Sequence, residues 1–134
     1  MTLNRQSLSL FTLRISIFIV MFMWAIDKFI NPAHAAAVYR KFYNIDIGQP
    51  LLSVLACAEI VLLVGFLFGV KRFITYGLVL LLHGVSTLSS WPKYLAPFDG
   101  SNLMFFAALP MLAACLVLFL YRDSDQLLTT SRLR

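Results

Sequence analysis

Leu51–Val70 reads LLSVLACAEIVLLVGFLFGV, an apolar run about one bilayer thick with one carboxylate, Glu59, near its middle. At about 1.5 Å of rise per residue, a helix of this length crosses roughly the 30 Å hydrocarbon core. An ionisable group at that depth costs on the order of 2.5–3.5 kcal/mol on insertion scales. Glu59 is therefore expected to face protein or trapped water, to be partnered, or to be protonated.

Working outward, three more apolar segments flank this run, at about 8–30, 73–90 and 102–121. The first carries Arg14 and, at its far end, Asp27 and Lys28. With an apolar run longer than a signal peptide's h-region, and charges between it and the alanines at 33 and 35–37, it reads as an uncleaved span. Between spans 1 and 2, Asn31-Pro32 forms a helix start. Tyr39, Phe42 and Tyr43 beside Arg40 and Lys41 suit a short helix lying at the membrane interface. Lys71-Arg72 forms a tight turn, and Trp91, Pro92, Lys93, Tyr94 and Pro97 form a loop rich in interface aromatics. Pro110 is expected to kink the fourth span or open a cleft beside it. The polar tail at 122–134 is expected to be mobile at its end.

Composition agrees: of 134 residues, 60% are hydrophobic and 13% charged, and mean hydropathy is +0.84. The prediction is an all-α fold in one domain, 1–134: an integral membrane four-transmembrane-helix bundle with a short interfacial helix between spans 1 and 2. The net charge of +5 comes without a basic run longer than two residues or a zinc or stacking motif, which argues against nucleic acid. Six cations (Arg5, Lys71, Arg72, Arg122, Arg132, Arg134) fall on one side and four (Lys28, Arg40, Lys41, Lys93) on the other. That bias predicts both termini in the cytoplasm.

Depth decides which embedded polar groups are expected to meet. Glu59 and His83 lie about 16 Å and 15 Å from the same end of adjacent antiparallel helices. Tyr76, His83 and Ser90 recur every seven residues, with Thr87 four after His83, so they share a stripe expected to point into the bundle. Two readings stay open: a proton relay or polar contact for a quinone-like head group through Glu59 and His83, or a buried pair that only fixes packing. Arg14 either snorkels to head groups or turns inward toward Glu59. Lys28, Trp91 and Tyr39 are read as interfacial, and Asp27 as a local interfacial or helix-end group. Cys57 and Cys115 differ by roughly 10 Å in depth, too far for a disulfide, and read as two small buried hydrophobes. No metal-ligand cluster, nucleophilic triad or glycosidase pair is legible.

Leu13-Arg14 opening the first span, Asp27-Lys28-Phe29-Ile30-Asn31-Pro32 closing it, Ala58-Glu59-Ile60 with Gly65 and Gly69 in the second, and the basic turn Lys71-Arg72 together resemble the DoxX-like family. Those are small four-helix bacterial membrane proteins, and the resemblance runs from about Leu8 to Leu120. It implies a bacterial inner-membrane location. It also implies kinship with proteins that include small subunits of thiosulfate:quinone oxidoreductases and others linked to redox or thiol-stress complexes. Arg14, Lys28 and Glu59 carry over as membrane-embedded polar residues. Members often have a glycine-rich stretch with Ser-x-Asp after the last span; Tyr121-Arg122-Asp123-Ser124-Asp125 keeps only a serine and an acid, a departure from the pattern.

The functional expectation is an accessory or quinone-facing subunit of a membrane oxidoreductase complex, with no intrinsic cofactor and the electron carrier on a redox partner subunit. A stand-alone lipid- or small-molecule-binding protein or carrier, and a structural or assembly factor, are the alternatives; a homo-oligomer is also open. Few spans and no inverted repeat weigh against transport.

Overall fold

The computed structural model describes residues 4–130. Its first helix, α1 (Arg5–Ile30), starts where the Asn4 side chain accepts the Gln6 N–H (3.2 Å), an N-cap bond. It stops before Pro32, which opens α2 (Pro32–Tyr43); Asn44, in the left-handed region (φ 54), closes α2. The chain then runs through α3 (Gln49–Leu67), α4 (Arg72–Ser89) and the short α5 (Trp91–Leu95). A 3₁₀ segment (Asn102–Ala107) leads into α6 (Ala108–Leu120).

Arg5–Ile30, Gln49–Leu67, Arg72–Ser89 and Asn102–Leu120 are each long and apolar enough to cross a membrane. The chain is thus a multi-pass, all-helical membrane protein. The second span begins two residues before the expected start and ends three before Val70, because the α3–α4 turn takes up residues 68–71 with Gly69 (φ 64) and Lys71 (φ 43) both left-handed. Pro110 differs more. It is the third residue of α6, where the first turn lacks N–H partners anyway, so the 3₁₀ segment takes the place of a mid-helix kink.

Helix α1 packs along α3, α4 along α6, and the pairs close through α3–α4 and α1–α6 contacts. Leu10, Ile17, Met21 and Ala25 of α1 meet Leu63 and Phe66 of α3, Tyr76 and Val79 of α4, and Cys115 and Leu118 of α6 in one buried core. Glycines set the closest approaches: a Cβ on Gly77 would lie 3.3 Å from the Phe119 ring, and one on Gly65 would lie 3.2 Å from the Thr75 methyl. Large apolar side chains such as Met23, Val61 and Leu88 point outward, the surface a hydrocarbon solvent requires.

Through residue 130 the tail folds back across the end of the bundle: Thr130 N–H donates to Phe68 O (2.9 Å), and the Thr129 side chain covers Gly69. The expectation of mobility at the end of the tail falls on residues 131–134, outside the described residues. Arg132 and Arg134, counted in the charge bias, and residues 1–3 lie outside the described residues.

Gly69 thus holds two roles, a left-handed turn and a contact with the tail; a Cβ there would stand 2.9 Å from Thr129 Cγ2. Gly100 shares the sign of φ (+55), but a Cβ there would meet open space. Gly100→Ala is expected to cost only the left-handed term, about 1–2 kcal/mol. Gly69→Ala is expected to cost measurably more in reversible unfolding in detergent, and equal losses would deny the tail contact.

Candidate functional site

In an α-helix each side chain leans toward the helix N-terminus. Arg14 on α1 therefore leans toward the end of the bundle where the termini emerge, and Lys28 leans back into the membrane from the opposite end. Both find carboxylates, at two separate sites.

At the first site Arg14 is fully buried (0% exposed). Its Nη1 pairs with Asp125 Oδ2 at 2.6 Å and also reaches the Tyr76 hydroxyl at 3.2 Å, while its Nη2 donates to Leu127 O. Tyr76 donates its O–H to the same Asp125 oxygen (2.7 Å). Asp125 is likewise 0% exposed. Arg72 secures the backbone of this segment, its Nη1 donating to Arg122 O (2.5 Å) and Asp125 O (2.7 Å). Among the described residues, Arg14 Nε and Asp125 Oδ1 have no hydrogen-bond partner. Arg14 thus neither meets lipid head groups nor turns toward Glu59. Tyr76, Thr87 and Ser90 of the α4 stripe are buried as expected, but the Tyr76 hydroxyl serves this cluster. Sequence reading missed Asp125 and the anchoring role of Arg72. A signal was available, since the only acids on the Arg14 side of the chain are Asp123 and Asp125.

At the second site Lys28 Nζ lies 2.7 Å from Glu59 Oε2 and donates to Trp24 O (3.3 Å), one turn back along α1. Lys28 thus finds its partner on α3, across the α1–α3 contact. Their side chains keep 10% and 17% exposure, so this pair, unlike Arg14–Asp125, is open at its edge. Tyr39 of α2 is half-buried and near enough to feel the Glu59 charge. Burial, and then the Glu59 charge, hold its phenol above the usual tyrosine pKa, so it stays a hydrogen-bond donor at neutral pH.

His83 takes a different place from the expected pairing with Glu59. Its Nε2–H is shared between Ala108 O (3.1 Å) and Thr87 Oγ1 (3.3 Å), and Thr87 in turn donates to His83 O (2.7 Å). His83 and Thr87 thus tie α4 to the start of α6. The physical reason is lateral: depth matched Glu59 to His83, but Glu59 faces α1, and the α4 stripe faces α6. Asp27 pairs with His34 (2.7 Å), a local pair at the helix end. Trp91 is exposed at the start of α5. Both cysteines are free; Cys115 is buried as expected, whereas Cys57 faces outward. Among the described residues no group of three or more His, Cys, Asp or Glu is placed to hold a metal ion.

Compared with family models, curated proteins and solved structures, the chain matches none.

Removing one member of a buried ion pair strands the other in a medium that cannot solvate it, typically at about 3–5 kcal/mol. Arg14→Met and Asp125→Leu are each expected to destabilise the protein by about that amount. The double variant is expected to recover much of the loss, because no charge is then orphaned. Unfolding by denaturing detergent of the four proteins measures the coupling, and additive losses would separate the two residues energetically.

Proposed function

We propose that this chain is a DoxX-like protein of the bacterial inner membrane, acting as the quinone-facing accessory subunit of an oxidoreductase complex. The observation that carries the reading is the Lys28–Glu59 ion pair (2.7 Å), which keeps an exposed edge within the spans and whose carboxylate charge acts on the Tyr39 phenol. Glu59 lies ten residues from Gln49, about 15 Å down α3, a depth a membrane-borne quinone ring reaches. An ammonium and a phenol are donors for a quinone carbonyl, and a carboxylate accepts from a quinol hydroxyl, so the trio suits either form. The chain's role is to bind and orient the head group and hold protons; a partner subunit brings the electron carrier.

Two further features support the assignment. The positions carried over from the family resemblance, Arg14, Lys28 and Glu59, are embedded charges that each find a partner of opposite sign. In addition, α2 exposes Arg40 and Lys41 and half-buries Tyr39, Phe42 and Tyr43, which fits a helix lying at the interface. In this reading both termini are cytoplasmic, as the bias of basic residues directs.

A structural or assembly factor is the second reading, favoured by the mutual neutralisation of Arg14 with Asp125 and Lys28 with Glu59.

Binding of a short-chain ubiquinone to the protein in lipid nanodiscs separates the two. A lost hydrogen bond to a charged group is worth about 1.5–3 kcal/mol, so Lys28→Met is expected to weaken binding by about tenfold or more, with Glu59→Gln also impaired. His83→Gln is expected to bind as the unaltered protein does. Equal binding by all of them, or none by the unaltered protein, would leave the structural reading.

A further inference from the structure

An open basin of about 860 Å³ lies between the α3–α4 turn and the point where the chain leaves α6. Among the described residues, three cations line it, Lys71, Arg72 and Arg122, against one carboxylate, Asp123. Two of the three are fixed in place. Arg72 is held by the carbonyls of Arg122 and Asp125, and Arg122 donates to Phe119 O (2.7 Å) with its guanidinium over the Phe73 and Phe119 rings (5.3 and 4.8 Å). Lys71 is exposed and held left-handed (φ 43) at the cap of α4, whose positive dipole end also faces this region.

The rest of the wall is of another kind. Val70, Phe73 and Ile74 line the same basin, and all three are exposed apolar side chains. A ligand that satisfies both parts carries a negative group and a hydrocarbon chain. The basin stands at one end of the bundle, where helices long enough to cross a membrane pass into a polar turn; helices that span the hydrocarbon end near the lipid phosphates.

We propose that this basin is a binding site for an anionic phospholipid, its phosphate held by Lys71, Arg72 and Arg122 and its first acyl carbons lying along Val70, Phe73 and Ile74. The site is separate from the Lys28–Glu59 pair, which lies toward the other end of the bundle, and it does not depend on any quinone chemistry. Basic pockets beside transmembrane helices hold lipid head groups in this way, each cation near the surface giving roughly a fivefold gain in affinity.

The test is native mass spectrometry of the full chain released from nanodiscs of equal phosphatidylglycerol and phosphatidylcholine. Arg72 stays intact because it anchors the tail; the variants are Lys71→Gln and Lys71→Gln/Arg122→Gln, with Lys41→Gln/Lys93→Gln as a charge-matched change at the opposite end. The expected result is preferential retention of one phosphatidylglycerol, reduced about fivefold by the first variant and more by the double. Lys41→Gln/Lys93→Gln should leave it unchanged. Unfolding temperatures near that of the unaltered protein assign the loss to binding, and Lys71→Gln, on an exposed side chain, keeps the test valid if the double variant unfolds. Equal retention of the two lipids, or an equal drop in the opposite-end variant, would overturn the proposal. Displacement of the lipid by millimolar inorganic phosphate would overturn the lipid as ligand and assign the basin to a soluble phosphate.

Discussion

The ion pair between Arg14 and Asp125 is the contact on which the end of the bundle depends. A guanidinium inside a bundle surrounded by hydrocarbon has no solvent to return to, so a carboxylate must be brought to it. The chain does this by reversing direction after α6 and lowering Asp125 under the ends of α1 and α4, where Tyr76 shares the same carboxylate oxygen. The contacts of the tail follow from that placement. Arg72 holds the carbonyls of Arg122 and Asp125, Thr129 covers the glycine of the turn, and Thr130 bonds to Phe68. With Arg14 Nε and Asp125 Oδ1 unpartnered among the described residues, the pair is less a source of net stability than a fixed requirement, since desolvating both charges offsets much of their attraction. Its consequence is specificity of arrangement: α1, α4 and the tail meet in one register.

The Lys28–Glu59 pair obeys the same electrostatic rule with a different outcome. It is partly exposed, it bridges α1 and α3, and its carboxylate charge reaches a tyrosine of α2. A sealed pair can only hold helices together, whereas an open one can exchange a hydrogen bond with something that arrives from the membrane. That difference in exposure separates the two charge clusters more clearly than their composition does.

His83 illustrates why depth alone does not pair residues in a bundle. Each helix presents a given depth to several neighbours, and the direction of the side chain around the axis decides which one it meets. Glycines at 77 and 84 lie on the side of α4 that approaches α6, next to Phe119 and Leu112. That close approach carries His83 and Thr87 to Ala108 and away from Glu59.

By itself the sequence determined the number and placement of the spans, the helix at 32–43, the tight basic turn and the identity of the charges needing partners, because hydropathy, proline and glycine act locally and the cost of a charge in hydrocarbon is independent of topology. It also placed two acids, Asp123 and Asp125, on the side of the chain where Arg14 lies, in addition to Glu59 deeper in the second span. Only the tertiary structure decided which partner each charge received, that the tail returns to the bundle, and that Pro110 falls in a first turn and not a kink. Those outcomes depend on the rotation of each helix about its axis and on a chain reversal, and both are set by packing between segments far apart in sequence.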